Sequence, residues 1–177
     1  MEKSLKSIAT NWGLYLGIFL TLLTAIVYAV NLGLFVNFSY GISLYFFIIV
    51  FGIIAVLKVK NFSNGFISFK YAFTSYFITI LIGLVLSSIF SYILFNFIDV
   101  EASEVLKDKM LDKVVQTLEG FNAPTAAIDE TVEKMESQNL FSIVNLLQSL
   151  AFNYLLPLSV VGLIVAAVMK KNNPDEA

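Results

Sequence analysis

Glu104, Asp108 and Asp112 recur at every fourth position, so a helix would set their carboxylates on one face, with Glu101 close by. Hard carboxylate oxygens in such a row are the chemistry of a calcium site. No EF-hand-like loop with its glycine accompanies them, and Lys107, Lys109 and Lys113 are interleaved among the acids. The plain reading is a solvated acidic helix face, with no metal expected. His, Cys and Arg are absent from the chain. Without His or Cys the common nucleophile–base pairs cannot be assembled, and a His- or Cys-ligated metal is excluded. Without Arg there is no bidentate clamp for phosphate. The remaining Asp/Glu and Ser/Lys arrangements form no recognisable motif. No catalytic residue and no cofactor is therefore expected, and the chain is not expected to be an enzyme.

Transport chemistry has one candidate. Asn145, Ser149 and Asn153 share a face of an apolar stretch, with Gln148 beside it, and Pro157 follows Asn153 at i+4. Transporter sites use helices interrupted by Gly or Pro, so a polar substrate could meet this face. Against it, no ionisable group lies inside any of the long apolar stretches, where one would mark an ion or proton path. The structural alternative puts Asn145 and Gln148 near the interface, with Asn153 bonded to a neighbouring helix or to the backbone freed by Pro157. That alternative is preferred. The acceptor-like triplets Asn37-Phe-Ser39 and Asn61-Phe-Ser63 are taken as chance.

The elements that carry these residues follow from charge. Of 177 residues 58% are hydrophobic and 14% charged, and residues 7–57, 71–98 and 137–169 contain no charge at all. A transmembrane helix needs about 20 apolar residues to cross ~30 Å of hydrocarbon. The first run, 51 residues long, would extend ~77 Å as one helix and suits two crossings; the others suit one each. Four spans are expected, at about 12–30, 40–57, 71–97 and 147–169, followed by a short tail, 170–177. The N-terminal apolar stretch has no A-x-A-like cleavage site and is read as an uncleaved first span. The net charge of −2 points to no nucleic-acid partner.

Residues 99–138 form the one sizeable polar region. Leu106, Met110, Val114 and Leu118, with Leu111 and Val115, recur at helical spacing, and Gly120 stands where a C-cap would sit. After Asn122-Ala-Pro124, Thr125 is placed as an N-cap, and Ile128, Val132 and Met135 form a second stripe. A helical hairpin is expected, with ten acids and four lysines. Short cytoplasmic loops carry excess lysine. With the N-terminus inside, Lys3, Lys6, Lys58, Lys60, Lys70, Lys170 and Lys171 all fall on the cytoplasmic side and the acidic hairpin falls outside. Lys58, Lys60 and Lys70 then read as an orientation signal.

The strongest pattern concerns packing. Gly13, Gly17, Thr21, Ala25 and Ala29 recur every four residues in span one, and Ser75, Thr79, Gly83, Ser87 and Ser91 do so in span three. Such rows let helix backbones approach closely where lipid offers no hydrophobic push. They are expected to meet each other within one chain, or else to face a second copy.

"GFISFKYAF" opening span three, "FIDVE" closing it, the acidic insert and "LIVAAVMKKNNP" together resemble a family of uncharacterised bacterial membrane proteins, domain of unknown function 4199, common among Bacteroidota. The resemblance covers essentially the whole chain. It implies the same four-span order and insert in a bacterial cytoplasmic membrane, and no known activity; it suggests glycosyltransferases acting on lipid-linked sugars as a partner class. Many members carry Pro after the Ile-Asp pair, where this chain has Val100.

The expected architecture is an all-α membrane bundle of four transmembrane helices with an extracytoplasmic helical hairpin before the last. The expected role is a non-enzymatic accessory or scaffold subunit, partnered by membrane lipid and by other membrane proteins or further copies of itself. A small carrier or flippase-like component using the span-four polar face is the alternative. A water-filled cavity at Asn153 would favour the carrier, and a packed, dry bundle the scaffold.

Overall fold

The computed structural model describes the backbone of residues 2–171 and the side chains of residues 4–171; the tail from 172 onward and the Lys3 side chain lie outside the described residues. The helices are α1 (Glu2–Val30), α2 (Phe38–Phe62), α3 (Phe69–Ile93), α4 (Val100–Gly120), α5 (Thr125–Glu136), α6 (Ile143–Gln148) and α7 (Leu156–Met169). A π turn, Leu94–Ile98, extends α3, and a π segment, Ser149–Leu155, joins α6 to α7 in a single fourth span. Four of these rods are long and apolar enough to cross a membrane, and no strand occurs among the described residues. The protein is an all-α bundle.

Side-chain caps set the corners. Asn31 accepts from Gly33 N at 2.8 Å and Asn37 from Ser39 N at 2.9 Å, bracketing a short 3-10 turn, Leu32–Val36. Asp99 caps α4 by accepting from Ala102 N at 2.9 Å, which leaves Val100 at the first helical position. A proline is tolerated there because that N–H has no intrahelical partner anyway. Gly120 is not the cap of α4; it is the last helical residue, and Asn122, at φ 53°, takes the left-handed position. Asn tolerates this region better than most residues because its short polar side chain can bond locally. Thr125 is the first residue of α5, with Pro124 at the cap. The first helix starts at Glu2, well ahead of Trp12, because Leu5 and Ala9 continue its buried face.

α3 is the centre, packing on α1, α2 and α7, and its contact with α1 is the most extensive in the molecule. The two run parallel. Ala9 O accepts from Thr79 Oγ1 at 3.0 Å, and a methyl group built on Gly13 would lie 2.8 Å from Ile82 Cβ. One built on Gly17 would lie 2.6 Å from Leu86 Cδ2, and one on Gly83 would lie 2.5 Å from Leu16 Cγ. The glycines of one helix thus receive the large side chains of the other. The two small-residue rows do not oppose each other residue for residue. Successive i+4 positions drift by about 40° around a helix of ~3.6 residues per turn. Thr21 and Ala25 are accordingly half-buried and Ala29 is exposed.

On its other sides α3 carries Tyr76, fully buried between two glycines. A methyl on Gly52 of α2 would meet Tyr76 Cε2 at 2.5 Å, and one on Gly162 of α7 would meet Cδ1 at 2.6 Å. The phenol oxygen has no hydrogen-bond partner. At the end of the bundle where α1 begins, Lys60 Nζ donates to Met169 O at 2.9 Å, satisfying a carbonyl at the end of α7. Ile67 and Lys171 exchange two backbone hydrogen bonds, each 2.9 Å, and Lys171 Nζ lies over the Phe66 ring. Lys58, Lys70 and Lys170 are exposed at this same end. A smaller apolar cluster at the opposite end, Leu94, Phe95, Ala102 and Leu106, docks α4 on the bundle.

Two outcomes are expected for detergent-solubilised protein followed by thermal unfolding. Gly83→Ile should destabilise it by about 2–3 kcal/mol, the scale of overpacking a tight site, and Leu16→Ala should restore part of that loss. Tyr76→Phe, which removes only the unpartnered hydroxyl, should leave the melting temperature equal or higher.

Candidate functional site

The span-four residues singled out by sequence do not converge. Asn145 Nδ2 donates to Asn139 O at 2.8 Å, and Asn145 N donates to Ser142 Oγ, so Asn145 belongs to the entry turn of α6. Gln148 and Asn153 are exposed on the outside of the bundle, while Ser149 turns inward. The cause is the π segment. Its backbone bonds run from i to i+5, as Leu156 N to Ala151 O shows, and the wider turn shifts the residues of the segment from the face that α geometry would give them. Asn153 Nδ2 donates to Ser149 Oγ at 3.2 Å. Its backbone carbonyl, which in an α-helix would have been served by the N–H that Pro157 lacks, accepts instead from the Tyr45 hydroxyl of α2. Tyr45 and Tyr154 also stack, with ring centroids 5.6 Å apart. The Pro157 break is closed by a neighbouring helix.

A cavity does exist elsewhere. A cleft of about 250 Å³ opens between α1, α2, α3 and the first half of the fourth span. Its floor, near the middle of the bundle, is Leu20, Ile48 and Leu84, and its upper wall carries Thr24, Ser87, Ser88 and Ser91. Ser149 and Tyr154 face these hydroxyls from the fourth span. Ser87 and Ser91, expected at the helix–helix contact, therefore lie in the cleft, while Ser75 and Thr79, lower on α3, are buried and bonded back to Tyr71 O and Ser75 O. Ser88 and Thr24 carried no sequence signal of their own, since neither falls on an i+4 row.

At the cleft's outer end Tyr28 of α1 donates to Asp99 Oδ2 at 2.6 Å. Asp99 precedes α4 and follows the third span, so this bond ties the acidic insert to the bundle. The Tyr28 hydroxyl, then the Ala102 N–H, hold the Asp99 carboxyl below its ordinary range by stabilising the anion. Among the described residues no three acidic side chains gather as a cation site; Glu101, Glu104 and Asp112 point outward from α4.

A depressed carboxylate pKa contributes stability that is present above the unfolded value of about 3.9 and is lost as pH falls through the folded value. Tyr28→Phe should therefore raise the Asp99 titration midpoint, read by carboxyl carbon NMR, and flatten the pH dependence of α4 docking below about pH 4. An unchanged midpoint would remove Tyr28 as the cause.

A family model described as "Protein of unknown function (DUF4199)" matches residues 11–171. No curated protein and no solved structure matches the chain. With a model match over most of its length, the chain belongs to the DUF4199 family of proteins of unknown function.

Proposed function

We propose that this protein is a non-enzymatic accessory subunit of a bacterial cytoplasmic membrane, with both termini inside and the α4–α5 insert presented outside to a partner membrane protein. The observation that carries the reading is the way α4 is mounted. Its first turns are fixed to the bundle through Asp99, Ala102 and Leu106, while α5 contributes no buried residue and leaves its charged side chains in water. Lys107 Nζ donates to Glu136 O at 2.6 Å, holding the end of α5 beside the start of α4. A rigid base under an acidic surface is the form of a docking platform. The gathering of Lys58, Lys60, Lys70, Lys170 and Lys171 at the other end supports the orientation, since lysine excess marks the cytoplasmic side. The carrier reading draws no support from span four, where Asn145 is tied into the entry turn and Gln148 and Asn153 are exposed.

Because the chain has no cysteine, a single introduced thiol reports sidedness. An impermeant maleimide applied to intact cells should label Ala126→Cys and spare Asn61→Cys; the reverse pattern would overturn the orientation. Cross-linking in native membranes through Ala126→Cys should capture a discrete protein partner that Lys107→Glu, by unpinning α5, weakens severalfold. Capture of lipid alone would count against the platform.

A further inference from the structure

The hydroxyls of the cleft are gathered at one opening. A Ser or Thr inside a membrane helix ordinarily bonds the carbonyl four residues back, as Ser43, Ser75, Thr79 and Ser159 do here. Thr24, Ser87, Ser88 and Ser91 make no such bond and have no other partner in the protein. Thr24 is only 9% exposed and lines the cleft. Four hydroxyls without a protein partner around one opening make a set of donors for an acceptor brought from outside the chain, since unsatisfied polar groups are costly in hydrocarbon.

The shape of the cleft narrows what that acceptor is. From Leu84 at the floor to Ser91, the outermost of the cleft serines on α3, is about 10 Å at ~1.5 Å per residue, and Phe35, Phe95, Leu106 and Phe141 line the cleft beyond. The floor sits near the bundle middle, and the hydroxyls stand on its side toward the acidic insert, between apolar walls above and below. No lysine, aspartate or glutamate lines the cleft, so a free phosphate or other charged group has no counter-charge there. The first half of the fourth span has no close backbone approach to α2. The Tyr45–Tyr154 stack and the Tyr45 bond to Asn153 O bridge them through side chains, which leaves that side as the route of entry from the bilayer.

We propose that this cleft binds the ester-bearing glycerol region of a membrane diacyl lipid, one acyl chain lying against Leu20, Ile48 and Leu84 and the ester carbonyls accepting from Ser87, Ser88, Ser91 and Thr24. The proposal rests on the membrane placement given above and is independent of any protein partner.

The full chain, purified in detergent, is titrated with dioleoyl phosphatidylethanolamine and with its diether analogue, which keeps chains and headgroup but lacks the ester carbonyls. Binding is read by native mass spectrometry and by thermal shift. The diester should bind about tenfold more tightly, the scale of one or two net hydrogen bonds. Ser87→Ala/Ser88→Ala/Ser91→Ala should remove that preference. Thr24→Val, which keeps the side-chain shape, should reduce it, and serves as the readout if the triple variant does not fold. Equal affinity for the two lipids, or a preference that survives these substitutions, would overturn the proposal. Failure to capture a protein partner would leave the diester preference standing, and loss of the preference would leave partner capture standing.

Discussion

The close approach of α3 to three other helices is the constraint on which the rest of the bundle depends. Lipid tails are as apolar as the helices, so burying Leu or Ile between spans gains little over leaving it in the bilayer. Association has to come from contact quality and from hydrogen bonds. The glycines supply the first: Gly13, Gly17 and Gly83 let Ile82, Leu86 and Leu16 seat against bare backbone, and Gly52 and Gly162 form the notch that takes Tyr76. The second comes from Thr79, whose hydroxyl lies 3.0 Å from Ala9 O and 2.9 Å from Ser75 O. Dispersion between atoms in contact is small singly and large in sum, and falls off sharply with a gap of even half an ångström. A single added methyl at any of these glycines opens such a gap along the whole contact.

What α3 holds together at the lysine end it does not hold at the other. Lys60 on Met169 O and the Ile67–Lys171 pairing fasten α7 to the α2–α3 turn. Beyond Pro157 the fourth span changes to a π segment, and α3 does likewise after Ile93. Both irregular stretches flank the cleft, through Phe95 on one side and Ser149, Leu150 and Tyr154 on the other. A π turn admits one extra residue and swings the helix sideways, which is how two packed rods come to diverge without either ending. The cleft is thus the geometric counterpart of the tight end, and the Tyr28–Asp99 bond with the Phe95–Phe141 contact closes its top.

How much of this was legible in the sequence depends on the range of the cause. The four spans follow from runs without charge and from bilayer thickness, both local properties, and the structure has four rods of that kind. Gly13, Gly17 and Gly83 were legible as close-contact positions because their spacing repeats. Their partners were not: Ile82, Leu86 and Leu16 are large residues among many alike, and only the relative rotation of two helices selects them. Gly52 and Gly162 belong to no i+4 row and carry no period, although a glycine in the middle of an apolar span was a usable signal. Ser87 and Ser91 continue the α3 row on paper, yet the drift of about 40° per four residues turns them from α1 to the cleft. The Tyr28–Asp99 bond spans 71 residues of sequence, and nothing local announces it. The dispersal of the span-four polar face has a different origin, since its i+4 reading assumed α geometry where the backbone is π.

A chain without His, Cys or Arg, and with its charges kept to the ends, has hydroxyls and amides as its polar groups inside the bilayer. Their placement divides them by role. Amides sit at corners, as Asn31, Asn37 and Asn145 do, where they stand in for missing backbone partners. Hydroxyls in the tight half of the bundle are bonded back to their own helix or across to a neighbour, and there they remove a cost rather than add affinity. Tyr76 and Thr21 are exceptions, each with a buried oxygen that goes unpartnered; the Tyr76 ring fills its notch, and packing outweighs the lost bond. The cleft hydroxyls differ from that case in number and in access. Isolated buried oxygens are tolerated at Tyr76 and Thr21; four hydroxyls lining the same opening bring no packing that an alanine or valine would not bring as well. Residues retained at a cost to the free bundle are best explained by a state in which the cost is absent, and in this molecule that state is the one with the cleft filled.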